Sequence, residues 1–178
     1  MARSAVLSIL FAALLVAAGA PAMADDACVD FKWDVSRERA LFAGAATPVT
    51  AAADAKAAPV MLLNHLYEVM LQPQEQVAFA AAPGKKNPRT DSHAGLLTFK
   101  IPASGSYRVA IDMPFYIDVV SDGALVAATD FQGQRGCSSP HKIVVFDLKG
   151  SRPFFLQLSN ADPNSVRLTI TATPVRKF

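Results

Sequence analysis

From about residue 60 onwards, apolar and polar positions alternate with a period of two. In SYRVAID, residues 106–112, tyrosine, valine and isoleucine alternate with arginine, alanine and aspartate. This is the pattern of a strand that buries one face in a core. Eight further segments show the same alternation or a short apolar run: residues 66–71, 75–80, 95–101, 115–120, 124–128, 142–148, 154–159 and 165–173. The pattern therefore predicts about nine short strands.

Turn-forming residues separate these segments. Asp122-Gly123 is a strong hairpin signal, and Pro102 with Gly105 and Lys149-Gly150 mark further turns. Many short strands with turns every 8 to 12 residues or so are typical of a sandwich. The chain therefore predicts an all-β fold, an antiparallel and jelly-roll-like β-sandwich, over residues 60–178.

The segment before the strands, residues 25–59, shows a different pattern. Within ACVDFKWDVSRERALFAG, residues 27–44, we expect one short helix that ends at Gly44, with Asp34 or Ser36 as the cap and Glu38 in the first turn, where negative charge is favourable. Residues 46–59 are rich in alanine, lie between prolines and carry few large apolar groups. We interpret them as a surface linker.

The first 24 residues have the features of a secretory signal peptide. Arg3 is followed by an apolar stretch, residues 5–18, and by Ala22-Met23-Ala24, a small-x-small cleavage signal. Removing this segment takes 1 of the 17 basic residues and none of the 15 acidic ones, which leaves a net charge of +1. We expect a periplasmic or secreted protein whose mature chain has no transmembrane segment and no basic footprint for nucleic acid.

Two cysteines, Cys28 and Cys137, remain after the expected cleavage. Exported thiols tend to pair because the compartment is oxidising. The sequence therefore predicts a disulfide that ties the N-terminal segment to the later part of the fold.

Several stretches carry a resemblance to known proteins. LLTFKIPASGSYRVAI, FYIDVVSDGALVAA, HKIVVFDLKG, FFLQLS and VRLTIT, within residues 96–172, resemble a pre-peptidase C-terminal type β-sandwich, although KGSRPFFLQLS lacks the usual Gly-Thr-Tyr turn. SYRVAI, YIDVV, FQGQRGC and HKIVVFDL also resemble small exported proteobacterial proteins, some of them labelled homogentisate dioxygenase. The second resemblance implies a non-haem iron site.

The candidate metal ligands are His65, His93, His141 and Asp118. A non-haem iron site generally needs two histidines and one carboxylate. The three histidines are far apart in sequence and form no H-x-H or H-x-D/E pair. They are therefore also interpretable as surface or hydrogen-bonded residues.

Cys137 and His141 suggest two further chemistries. A blue-copper site needs a second histidine and usually a methionine soon after the loop histidine, but the nearest methionine, Met113, lies upstream. A nucleophilic thiolate would need His141 or a nearby cation to activate it. Both alternatives require that Cys137 is not in a disulfide.

Other polar and aromatic groups complete the candidates. Asp112 and Asp118 are on neighbouring predicted strands and are the only paired carboxylates that suggest glycosidase chemistry. The remaining sets have ordinary interpretations as well: a basic loop (Lys85, Lys86, Arg89), a possible calcium turn (Asn160, Asp162, Asn164) and a possible aromatic platform (Tyr107, Phe115, Tyr116, Phe131, Phe154, Phe155).

Two functional hypotheses follow. The first is an exported, non-catalytic binding or accessory protein without a cofactor or catalytic residues, whose partner is an unknown protein, a glycan or a small ligand. The alternative is a small metal-dependent enzyme of the dioxygenase kind. Convergence of two histidines and a carboxylate would favour the alternative.

Overall fold

The computed structural model describes Cys28 and residues 30–87, 89–150 and 152–174. The predicted signal peptide, residues 1–24, lies outside the described residues. These contain helix α1 (Ser36–Phe42), a 3-10 turn at Gln74–Gln76 and twelve strands. The strands are β1 (Thr47–Thr50), β2 (Val60–Met61), β3 (Tyr67–Met70), β4 (Gln72–Pro73), β5 (His93–Phe99), β6 (Gly105–Ile111), β7 (Tyr116–Ser121), β8 (Ala124–Val126), β9 (Ala128–Gly133), β10 (Lys142–Leu148), β11 (Phe154–Ala161) and β12 (Ser165–Ala172). No helix in the described part of the chain is long and apolar enough to cross a membrane.

The strands form two stacked sheets. Sheet A has the order β1-β3-β12-β6-β10-β9, and sheet B has the order β2-β5-β11-β7-β8, with β4 added to β5. The predicted all-β sandwich with one short helix is therefore confirmed. Its sheets are mixed, because β1 pairs with β3 and β2 pairs with β5 in parallel, whereas the other pairs are antiparallel as expected.

Eight of the nine predicted strands coincide with strands of the structure. The prediction of a strand over residues 75–80 is wrong. The edge of β5 that such a strand would join is already occupied by β4, by Ala52 opposite Leu96 and by β2. The segment therefore begins as a 3-10 turn and continues without strand pairing.

The main core lies between the two sheets. The side chains of Tyr107, Val109 and Ile111 face it from β6, as the alternation predicted. Phe99 and Phe154 stack on one another from β5 and β11, with ring centroids 5.5 Å apart. Burial of such side chains is the main source of stability in a sandwich of this size.

The outer face of sheet A is covered by the N-terminal segment and α1. Cys28 and Cys137 form the predicted disulfide there, with their Cα atoms 5.1 Å apart and 109 residues of separation. Around it, Phe31, Phe42 and Ile143 belong to a second apolar cluster. The N-terminal segment and α1 thus form a third layer over sheet A, and the disulfide holds this layer against the loop that precedes β10.

Two expectations for the N-terminal region need correction. Val35 occupies the helix N-cap position, so neither Asp34 nor Ser36 does. Asp34 accepts a hydrogen bond from the Ser36 backbone N–H from one residue further out. This hydrogen bond holds the pKa of Asp34 below its ordinary value.

The interpretation of residues 46–59 as a linker is wrong for β1. This strand is held by backbone hydrogen bonds, such as those from Thr47 to Leu66 and from Ala51 to Met70, which require no large apolar side chain. The small side chains also permit close approach. A Cβ on Gly95 would come within 2.4 Å of the Ala51 Cβ, so both residues must be small.

The outer face of sheet B is crossed by the segment that follows the 3-10 turn. The amide of Gln157, which is fully buried, donates to and accepts from the backbone of Ala81. Three residues later, the Gly84 N–H donates to Asp118 at 3.0 Å. These contacts place Gly84 beside the edge of the sandwich where the candidate site lies.

Candidate functional site

A cleft lies where the chain passes from sheet B to sheet A. Strand β8 pairs with residues 119–121 of β7. After Ala127 the chain turns away and continues as β9 beside β10 of sheet A. Residues 116–118 of β7 therefore have no partner on β8, and the gap between β7 and β9 forms a cleft of about 480 Å³.

The walls of this cleft are mainly apolar. Its inner side is formed by Ile117, Val144 and Phe146, which also belong to the core between the sheets. Its rim carries Leu125 and Phe131, which are 40% and 66% exposed. Large apolar side chains this accessible, grouped around a depression, are a common feature of ligand sites.

Lys142 provides a cation to the cleft. As the first residue of β10, it lies on the same face as Val144 and Phe146. Its Nζ donates to the Phe115 carbonyl oxygen at 2.8 Å and lies 5.7 Å from the centroid of the Tyr116 ring. Burial lowers the pKa of Lys142 below the ordinary value, and the negative charge of Asp118 acts in the opposite direction.

Asp118 provides the opposite charge, but it is covered. It is 9% exposed, and one carboxylate oxygen accepts the hydrogen bond from Gly84. Burial raises the pKa of Asp118, whereas the Gly84 hydrogen bond and the charge of Lys142 act to lower it. A Cβ at position 84 would come within 2.9 Å of the other carboxylate oxygen, so the backbone can approach Asp118 this closely because residue 84 is glycine.

The predicted histidine ligands lie in separate places. His65 precedes β3, whereas His141 precedes β10, and β12 and β6 lie between these two strands in sheet A. His93 is in sheet B, at the start of β5, and its Nδ1 is 3.1 Å from the Asp162 carbonyl oxygen. Among the described residues, no three His, Cys, Asp or Glu side chains form a group able to hold a metal ion.

The chemistries that needed a free Cys137 thiol are wrong for this structure. The sulfur is in the disulfide, so it supplies neither a copper thiolate nor a nucleophile. His141 instead lies with its Nδ1 3.2 Å from the Cys137 carbonyl oxygen. The loop from Cys137 to His141 thus has a structural role beside the cleft.

The other candidate polar sets are occupied by local contacts. Asp112 accepts a hydrogen bond from the Arg167 backbone, and Asp118 lies on the other sheet, so the two do not form a carboxylate pair of the glycosidase kind. The Asn160 side chain accepts from the Arg89 backbone, and Asp162 forms an ion pair with the Arg89 guanidinium. Asn160 and Asp162 of the candidate calcium turn therefore already have partners within the protein, and so does Arg89 of the basic loop.

The six aromatic candidates separate into two groups. Tyr107, Phe115 and Phe154 are buried, and Phe155 is half-buried outside the cleft. Tyr116 and Phe131 line the cleft. The aromatic platform that the sequence suggested is therefore reduced to these two rings.

A second depression of about 640 Å³ lies near His93. Its charged residues include Arg89, which is paired with Asp162, while His93 contacts the Asp162 backbone. Arg89 and His93 thus already contact Asp162, whereas Lys142 has a single hydrogen-bond acceptor among the described residues, so the cleft at Lys142 is the better candidate.

Sequence reasoning identified Asp118, Tyr116 and Phe131 but missed Lys142, Leu125 and Gly84. One signal was available for Lys142: it is a lysine at the head of the apolar strand KIVVFDL. No protein-family model matches the chain, and no curated protein is significantly similar to it.

Proposed function

We propose that this is an exported, non-catalytic binding protein that holds a small ligand in the cleft between β7 and β9. The observation that carries this proposal is the cleft itself: its volume of about 480 Å³ lies within the usual 300 to 1,000 Å³ or so of small-molecule sites. Like those sites, it combines apolar walls with a small number of polar groups.

Export is supported by two features. The first 24 residues have the pattern of a signal peptide, and signal peptides direct proteins across a membrane. The Cys28–Cys137 disulfide is stable in the oxidising compartment that such proteins reach. The periplasm or the extracellular space is therefore the expected location.

A binding role is favoured over catalysis by the contacts of the two charged groups. Asp118 is covered by Gly84, and Lys142 is tethered to a backbone carbonyl. The predicted histidine ligands lie near strands that are not neighbours, and among the described residues they form no metal-binding group, which gives no support to the dioxygenase hypothesis. The resemblance to pre-peptidase C-terminal type sandwiches stays a prediction.

The test is to fill the cleft with a side chain. Ala128→Phe adds a ring within the cleft, whereas Ala124→Phe makes the same change on an exposed part of β8 outside it. We expect the wild-type protein and the Ala124→Phe variant to bind 1-anilinonaphthalene-8-sulfonate at one site, and the Ala128→Phe variant to lose that site. Circular dichroism checks that both variants fold.

Loss of dye binding only in Ala128→Phe supports the proposal. Equal dye binding by both variants, or no binding by the folded wild-type protein, contradicts it.

A further inference from the structure

Lys142 has hydrogen-bonding capacity that the protein does not use. An ammonium group has three N–H donors. In the part of the chain that the structure describes, Nζ has one hydrogen-bond acceptor, the Phe115 carbonyl oxygen. A half-buried ammonium is costly unless it finds further acceptors. Two donors therefore remain for water or for a ligand in the cleft that Lys142 lines.

Two other shielded cations of the described chain have more contacts than Lys142, and Arg167 is one of them, since it donates to the carbonyl oxygens of Phe42 and Gly44. The most buried one, Arg108, pairs with Glu38 at 3.5 Å. Lys142 differs, since Asp118 acts on it through space without forming a direct ion pair among the described contacts. Lys142 is thus a half-buried cation at the cleft that still has room for an anion.

The position of Lys142 indicates what kind of molecule would carry such an anionic group. Lys142, Val144 and Phe146 lie on one face of β10 and all line the cleft. Four residues of strand separate Lys142 from Phe146, which is about 13 Å. A ligand that lies along this wall would place one end at Nζ and the remainder against apolar side chains.

Asp118 does not cancel this preference for an anion. Its carboxylate is 9% exposed and lies under Gly84, so a ligand reaches it less readily than it reaches Lys142. A cationic ligand would also have to approach the Lys142 ammonium, which repels it. The accessible charge in the cleft is therefore positive.

We infer that the ligand is an amphipathic anion, an apolar body with a carboxylate at one end, and that the Lys142 ammonium binds the carboxylate. This inference rests on the proposed function of the cleft. It names the chemical class of the ligand and the residue that selects it. Charge-assisted hydrogen bonds of this kind are stronger than neutral ones, and partial burial strengthens them further.

The experiment compares three ligands with the same apolar body. Octanoate, 1-octanol and octylamine are titrated by calorimetry at neutral pH into the wild-type protein and into three variants. Lys142→Met removes the charge and keeps an unbranched side chain, and Lys142→Arg keeps the charge. Lys149→Met is the matched control, because Lys149 is an exposed lysine just beyond the other end of β10.

We expect the wild-type protein to bind octanoate about tenfold more tightly than 1-octanol, and octylamine no more tightly than 1-octanol. In Lys142→Met, octanoate and 1-octanol should bind equally. Lys142→Arg should retain part of the preference, and Lys149→Met should retain all of it.

The failures of the two proposals are distinguishable. Equal binding of all three ligands to the wild-type protein, tighter binding of octylamine, or an octanoate preference that survives in folded Lys142→Met would overturn the role of Lys142 while the cleft remained a binding site. If none of the three ligands binds, the proposed function itself is contradicted, and this inference with it.

Discussion

The region beneath α1 and the cleft at β7 each remove a cation and a carboxylate from water, but they do so differently. Beneath α1, Arg108 and Glu38 are 4% and 1% exposed and lie 3.5 Å apart. Arg108 also donates to the Asp34 carbonyl oxygen, and Thr171 donates to Glu38 at 2.6 Å. The two charges in this region therefore contact each other and neighbouring polar groups, although Glu38 Oε2 and Arg108 Nε have no hydrogen-bond partner among the described residues.

In the cleft, the carboxylate and the cation each bond to the backbone instead. Asp118 accepts from Gly84, and Lys142 donates to Phe115. The contrast follows from the fold, since the N-terminal layer closes over β6, whereas β8 departs from β7 and leaves an opening. The comparison teaches that two buried charges in direct contact belong to the scaffold, and that a half-buried cation with unused donors beside an opening is a candidate for binding.

The largest predicted effect concerns the Cys28–Cys137 disulfide, which holds the N-terminal segment over sheet A. Replacing both Cys28 and Cys137 by serine should lower the free energy of unfolding by roughly 4 to 5 kcal/mol, because the bridge closes a long loop in the unfolded chain. Urea denaturation measures the change. Octanoate binding by the folded variant should persist, and its loss would show that the two regions are not independent.

The next prediction applies one kind of substitution to both regions. Arg108→Met should lower the free energy of unfolding by about 3 to 5 kcal/mol, because it leaves Glu38 buried without its partner. Lys142→Met should change it by less than about 1 kcal/mol, because no carboxylate loses a direct ion pair.

Urea denaturation of both variants tests this contrast. An exposed pair provides the control: Arg152→Met removes an ion pair with Asp122 and should cost less than about 1 kcal/mol. Similar losses for Arg108→Met and Lys142→Met would contradict the division between scaffold and binding site.

A smaller effect is expected at Gly84, whose backbone lies against the Asp118 carboxylate. In Gly84→Ala, the added methyl group would meet an Asp118 oxygen at 2.9 Å, so either the carboxylate or the backbone at position 84 must shift, and the hydrogen bond between them weakens. The expected loss of stability is about 1 kcal/mol. Gly133→Ala is the control, because a Cβ there meets the His141 carbonyl oxygen at an ordinary 3.8 Å. Thermal unfolding that ranks Gly133→Ala as the more damaging change would refute the proposed cover.

The smallest predicted effect is a pH dependence. Because burial raises the pKa of Asp118 in the folded protein, ionising it costs stability. This cost is absent below the ordinary pKa of 3.8 and is complete once the pH exceeds the raised folded value. Relative to wild type, Asp118→Asn should therefore become more stable as the pH rises from below 3.8 towards neutrality. A stability difference between the two proteins that stays constant over this range would contradict the prediction.

The parts of the fold that follow from local pattern could be predicted from the sequence. Alternation in β6 identified Tyr107, Val109 and Ile111 as core residues. The presence of two cysteines in an exported chain predicted the disulfide between them. The same alternation placed Arg108 on a polar face, yet it is buried. A period of two separates the faces of a strand but does not reveal that α1 covers one of them.

The cleft was beyond prediction for a similar reason. It arises because β8 and β9 are nearly continuous in sequence but belong to different sheets, and the local pattern at Ala127 gives no sign of this change. The position of Gly84 over Asp118 also depends on a contact 34 residues apart in sequence. Strand β1 was missed because backbone bonds, and not large apolar side chains, hold it in place.

The central claim is that the cleft between β7 and β9 is the binding site. The most direct measurement is to record backbone amide NMR shifts of the isotopically labelled protein as octanoate is added. We predict that the largest shifts cluster at residues 116–118 and 125–128 and at Phe131 and Lys142, while the amides around His93 and beneath α1 stay unchanged. Shifts that cluster around His93, or a spectrum that does not respond, would contradict the claim.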